Sequence, residues 1–196
     1  MNAAAVARKV TDAVVRRPWT WRFFRGRMQR IFDEVAPTWE TRIGPHHLLA
    51  LREAVEGLAP RHVLDVGTGT GKAAIALAEW FPDAEVVGVD LSPAMVAEAE
   101  RQSPGRVRFL VADASKLPFP DGSFELVALM NAIPFFDELA RVTAPGGVVV
   151  SSFSWGSETP IYVPEERLRR ELGRRGFGDF ASFAADPTTA FRARKL

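Results

Sequence analysis

No cysteine occurs in this chain of 196 residues, which excludes disulfides and thiolate metal sites and fits a reducing cytoplasm. Histidine is scarce as well. His46, His47 and His62 fall at no metal-ligand spacing, so no metal is expected. Tyr162 is the only tyrosine. No apolar run approaches the ~20 residues of a membrane span. Arg8 and Lys9 have no long apolar segment behind them, so no secretory leader is expected. There is no internal repeat and no low-complexity segment. Net charge is only +1, but it is unevenly spread. Residues 1–30 hold eight Arg or Lys and one acid, a balance of +7, which leaves −6 for the rest.

What is present points to one domain with an added N-terminal segment. A chain of this length buries roughly 70% of its unfolded surface and needs no staples. The most informative stretch is residues 63–71, Val-Leu-Asp-Val-Gly-Thr-Gly-Thr-Gly. A short apolar run ends in an acid, glycine recurs at every second position, and a periodic apolar segment follows over 73–81. That pattern predicts a strand, a tight turn and a helix start. Glycine lets a ligand lie on bare backbone there, and the free N–H groups of a helix start favour an anionic group. Two ligand patterns fail, one on a single residue and one on two. Lys72 stands where a dinucleotide turn needs glycine or alanine. Val66 and Ala73 break the P-loop pattern around Gly71-Lys72.

Later segments repeat the theme. Glu85–Asp90 reads as a buried strand ending in an acid, nineteen residues after Gly71, near the spacing at which a carboxylate reaches a ribose diol. Ser92-Pro93 is a helix-start signal, so Asp90 can bind while Ser92 caps. Residues 107–112 form a third strand before Asp113. Phe124–Met130 form a fourth before Asn131. A Pro145-Gly146-Gly147 turn leads to a fifth over 148–153. Polar residues at successive strand ends share one edge of a parallel sheet, the edge where open α/β sheets bind ligands.

This series resembles the class I S-adenosylmethionine-dependent methyltransferase family, over roughly residues 60–155. The resemblance rests on residues 63–71, 87–92, 111–124 and 141–150. It implies a Rossmann-like three-layer α/β sandwich with a mostly parallel seven-stranded sheet, order 3-2-1-4-5-7-6, ending in an antiparallel hairpin. It implies S-adenosylmethionine as cofactor. Asp65 with the backbone of Gly67, Thr68, Gly69 and Gly71 would hold the methionine part. Asp90 would hold the ribose hydroxyls, and Leu91 would pack on adenine. Asp113 would accept from the adenine amino group while the Ala114 N–H donates to the ring. Asn131 would sit near the reacting methyl group. The activity implied is methyl transfer to a small-molecule acceptor. A quinone or lipid-like acceptor at a membrane surface, a non-catalytic cofactor-binding module and a nicotinamide oxidoreductase are the alternatives.

The remainder frames that core. Helices are expected over 3–17, 19–32, 47–58 and 164–176, with short closing strands over 178–184 and 189–195 around Asp186-Pro187. The division expected is a helical lid or substrate-side segment, 1–58, and a cofactor-binding core, 59–196. Trp21, Phe24, Met28 and Phe32 recur at helical spacing, which predicts a buried face of a lid. The interleaved arginines leave contact with an anionic membrane surface open for residues 1–30. No nucleic-acid partner is expected. Residues 31–39 also resemble the segment preceding the core in small-molecule methyltransferases, including quinone-ring C-methyltransferases. His46 and His47 are candidate bases, with capping or surface placement as the plain alternative. Tyr162 is expected to pack near the acceptor. Asn131-Ala132-Ile133-Pro134-Phe135 is off by one, and short of a proline, against the motif of amino-group methyltransferases. It reads as strand end and loop, in a run too short for the family's usual helix before Arg141.

Overall fold

In the computed structural model, residues 3–42, 44–103 and 105–196 are described. Five parallel strands, β1 (His62–Val66), β2 (Glu85–Asp90), β3 (Arg108–Val111), β4 (Phe124–Met130) and β5 (Thr143–Phe153), join β6 (Phe177–Ala185) and β7 (Thr188–Lys195) in one sheet. The order is β3-β2-β1-β4-β5-β7-β6, and β7 runs antiparallel to both β5 and β6. This is the expected topology.

Side-chain alternation along the strands makes two cores. Val63, Val86, Leu126, Ala128, Val148 and Val150 face α3 (Leu49–Val55), α4 (Lys72–Trp80) and α5 (Pro93–Gln102). Their neighbours Leu64, Val127, Leu129 and Val149 face α6 (Phe136–Val142) and α7 (Glu165–Gly173). Small residues Ala73, Ala74, Ala78 and Ala99 let α4 and α5 approach the sheet closely.

Three features add to the sequence reading. The helix assigned to the N-terminal segment belongs to the core layer, because Ala50, Leu51, Ala54 and Val55 of α3 are buried against the sheet. Residues 131–135 are loop, as expected, and a short helix follows them. Phe136, Leu139 and Val142 bury one face of the two-turn α6, with Asp137 and Glu138 in its first turn. Pro145-Gly146-Gly147 lies within β5 as an irregularity, the register jumping from Phe124–Thr143 to Leu126–Val148. Arg141 braces the short α6. Its guanidinium grips Glu138 and the Leu117 and Phe119 carbonyls, so one side chain ties the preceding loop to the helix.

A third cluster lies on the carboxyl rim of the sheet. Helices α1 (Ala3–Arg16) and α2 (Trp21–Val35) pack Val10, Val14, Trp21 and Met28 on Ile133 and Phe135, with Leu91 and Ala114 beneath. Among the described residues, no helix is long and apolar enough to cross a membrane.

Candidate functional site

The rim begins at the glycine turn. Gly67 N and Thr68 N both donate to Val89 O at 2.9 Å, folding the turn against β2. Gly71 requires glycine twice over. Its φ is +88°, and a Cβ there would sit 2.8 Å from Phe109 Cζ. Gly69, at φ +55°, faces the rim instead, with Trp39 Nε1 3.5 Å from where its Cβ would be.

Asp65 closes β1 and is fully buried. The Thr68 hydroxyl donates to its Oδ2 at 2.7 Å, while Oδ1 has no partner. Burial pushes this carboxyl up to about 7, and the nearby Asp90 charge adds to the effect. Asp90 closes β2. Its Oδ2 accepts from Gly69 N and its Oδ1 from Ser92 N, each at 2.9 Å. Burial raises its pKa, and those two amides oppose the rise. Ser92 caps α5 as expected, accepting from Met95 N at 3.1 Å. Asp113 follows β3 and takes Ser115 N at 2.9 Å on Oδ1. Three strand ends thus set three acids along one rim.

Asn131 is placed differently. It holds φ +55°, which asparagine tolerates. Its Nδ2 donates to Ser154 Oγ at 2.7 Å and its Oδ1 accepts from Ser154 N at 2.9 Å, so the amide joins the ends of β4 and β5.

The N-terminal segment crosses this rim as a strap, and its contacts were not legible beforehand. Trp21 Nε1 donates to Asp113 Oδ1 at 2.9 Å, and Arg25 lies 3.6 Å from Oδ2. Asp33 accepts from Ser92 Oγ at 2.5 Å and Ala94 N at 3.3 Å. Glu40 accepts from the Thr70 hydroxyl and pairs with Lys72 at 3.7 Å. His46 and His47 then meet Trp155 beyond β5, with ring centroids 5.0 and 5.9 Å away. His47 Nδ1 takes the Gly44 amide, and burial lowers its pKa, so it is neutral at pH 7. His46 Nε2 is buried without a partner. Tyr162 packs edge-on to Phe153 and lines two clefts, of about 100 and 230 Å³, one against α1 and one against β6 and β7.

Residues 63–147 match the family described as a methyltransferase domain. They form a methyltransferase domain. A demethylmenaquinone methyltransferase of Thermus thermophilus is 48% identical over 102 residues, covering 47% of this chain and 46% of the relative. A trans-aconitate 2-methyltransferase of Acidovorax sp. is 35% identical over 154 residues, 71% and 57% of the two chains. This chain spans about half the length of the curated relatives it matches. A Haloferax volcanii putative methyltransferase, solved with the Trm112 methyltransferase activator, superposes with a TM-score of 0.69 at 21% identity, over 83% of this chain and 96% of that one. That likeness confirms the fold. The methyltransferase domain contains all three rim acids, and most of the strap lies outside it.

Proposed function

We propose that this chain transfers the methyl group of S-adenosylmethionine to a small organic acceptor in the cytoplasm. The observation that carries the reading is the set of acceptors on the rim. Asp65, Asp90 and Asp113 offer carboxylates, and Asp65 Oδ1 is buried with nothing to accept from. Such a rim suits a cationic ligand rich in N–H and O–H donors. It does not suit a pyrophosphate, because the Gly69 amide that would cradle one already binds the Asp90 carboxylate. The nicotinamide alternative is disfavoured on that ground, and Lys72 at the turn adds to it.

S-adenosylmethionine supplies an activated methyl on a cationic sulfonium with a neutral thioether as leaving group. The chain's own residues hold and orient. We assign Asp65 and the turn from Gly67 to Gly71 to the methionine part, Asp90 to the ribose hydroxyls, and Asp113 with the Ala114 amide to adenine beside Leu91. Asn131 shapes the neighbourhood of the methyl through its backbone, since Ser154 holds its side chain. Orientation of this kind is worth roughly 7–11 kcal/mol, so no catalytic dyad is required. The Trp21 indole already occupies Asp113, so cofactor access on this reading displaces it.

Calorimetry with S-adenosylhomocysteine and with NAD tests the reading. Micromolar binding of the first and none of the second is expected, and the reverse defeats it. Labelled methyl transfer to a panel holding quinone-ring and small-carboxylate acceptors separates an enzyme from a silent binding module.

A further inference from the structure

The outward side of α2 and the turn before it serve no purpose in the rim. Residues 13–30 contain six arginines, at 16, 17, 22, 25, 27 and 30, and no acid. Arg16, Arg17, Arg22, Arg27 and Arg30 are exposed or half-exposed and form no ion pair with any described residue. Between them two large apolar side chains stand in water. Trp19 is 58% exposed and Phe23 64%. They meet edge to face, centroids 6.1 Å apart at 82°. The Arg22 guanidinium lies 5.5 Å from one ring and 4.6 Å from the other.

A packed helix has no use for this arrangement, because Trp21 and Met28 already bury its inward side. We propose that the α1–α2 corner docks on an anionic lipid surface. Trp19 and Phe23 enter the headgroup boundary, and the arginines meet lipid phosphates and carboxylates. Arginine suits both parts of the task, since its stem lies on apolar surface while its head stays at charge. Single-stranded nucleic acid is the other polyanion such a patch could meet. It needs ring faces open for stacking, whereas here the two rings pack edge to face on each other and the Arg22 guanidinium lies over both. The proposal stands on this surface alone and holds whether or not the rim binds an adenosyl ligand.

The test is co-sedimentation of the full chain with phosphatidylcholine vesicles, with and without phosphatidylglycerol. Binding is expected only with phosphatidylglycerol, falling steeply as salt is raised. The double variant Trp19→Ala/Phe23→Ala should partition at least about tenfold less. Arg22→Glu/Arg27→Glu should abolish binding. Both variants are outward-facing, and an unchanged thermal midpoint and S-adenosylhomocysteine affinity would confirm that the rim is intact. The proposal is overturned if the wild type ignores anionic vesicles, or binds neutral ones equally. It also fails if the aromatic variant partitions like the wild type, or if a single-stranded oligonucleotide binds more tightly than the vesicles.

Discussion

Across the carboxyl rim, Asp65, Asp90 and Asp113 on the sheet side face Trp21, Asp33 and Glu40 on the strap, and the two sets are held in different ways. Asp65 and Asp90 lie in the strand ladder and Asp113 two residues beyond it, and each side chain is held by a group of the turn that follows, the Thr68 hydroxyl for Asp65 and backbone amides for Asp90 and Asp113. Each strap residue reaches the rim through its own side chain, from 30 to 92 residues away in sequence. Strand ends move only if the sheet does, whereas a strap side chain can let go alone. The sheet side therefore suits a fixed ligand, and the strap suits control of access.

The largest expected contrast comes from two carboxylates flanking Ser92. Asp90→Ala removes the proposed ribose acceptor and frees Gly69 N and Ser92 N. Hydrogen bonds to a charged group are worth about 1.5–3 kcal/mol each, so S-adenosylhomocysteine affinity should fall about 100-fold or more. Asp33→Ala, on the strap, should change it less than about threefold. Calorimetry on both variants, with thermal midpoints as folding controls, decides the matter. Equal losses would erase the distinction between the two sides.

A second expectation concerns backbone. Gly71→Ala forces a Cβ onto Phe109 at 2.8 Å and a side chain into positive φ. Destabilisation of about 2–3 kcal/mol follows, read as a shift in the urea midpoint. Gly26→Ala on α2, where a Cβ would meet nothing within 4 Å, should be neutral or stabilising.

These contrasts match what could be read beforehand. Acids at 65, 90 and 113 stand beside strand patterns, so periodicity alone brings them to one edge. Asp33 and Glu40 carried no such signal, because nothing local says that Asp33 will meet Ser92 fifty-nine residues on. The helix α6 was hidden by its own brevity, since two turns with one buried face carry too little periodicity to register. The contact of the Asn131 side chain was not legible for a related reason. Its partner Ser154 lies on a neighbouring strand end, and strand pairing rather than sequence spacing brings them together.

Protonation sharpens the comparison further. Asp65 titrates near 7 when folded, raised from 3.8. Between those values the unfolded chain has released a proton that the folded one keeps, so stability falls as pH rises from about 4 to about 7 and then levels. Asp65→Asn should remove that slope from thermal midpoints. The ionised form is the one that would attract a ligand ammonium group. Wild-type affinity for S-adenosylhomocysteine should therefore rise about tenfold between pH 6 and 8, and the asparagine variant should stay flat.

The smallest effect is the most informative about the strap. In the free protein the Trp21 indole spends its N–H on Asp113, at 2.9 Å, where adenine is proposed to bind. Trp21→Phe keeps an aromatic ring beside Phe135 and Met28 but removes that donor. The free state then loses a hydrogen bond to a carboxylate, of about 1 kcal/mol or somewhat more. The liganded state loses nothing if the indole has already been displaced. The thermal midpoint without ligand should drop slightly while S-adenosylhomocysteine binds about fivefold more tightly. Weaker binding would mean that the indole stays over the ligand and contributes to holding it. The strap would then be part of the ligand's cage, and the separation between fixed rim and movable cover would fail at its clearest point.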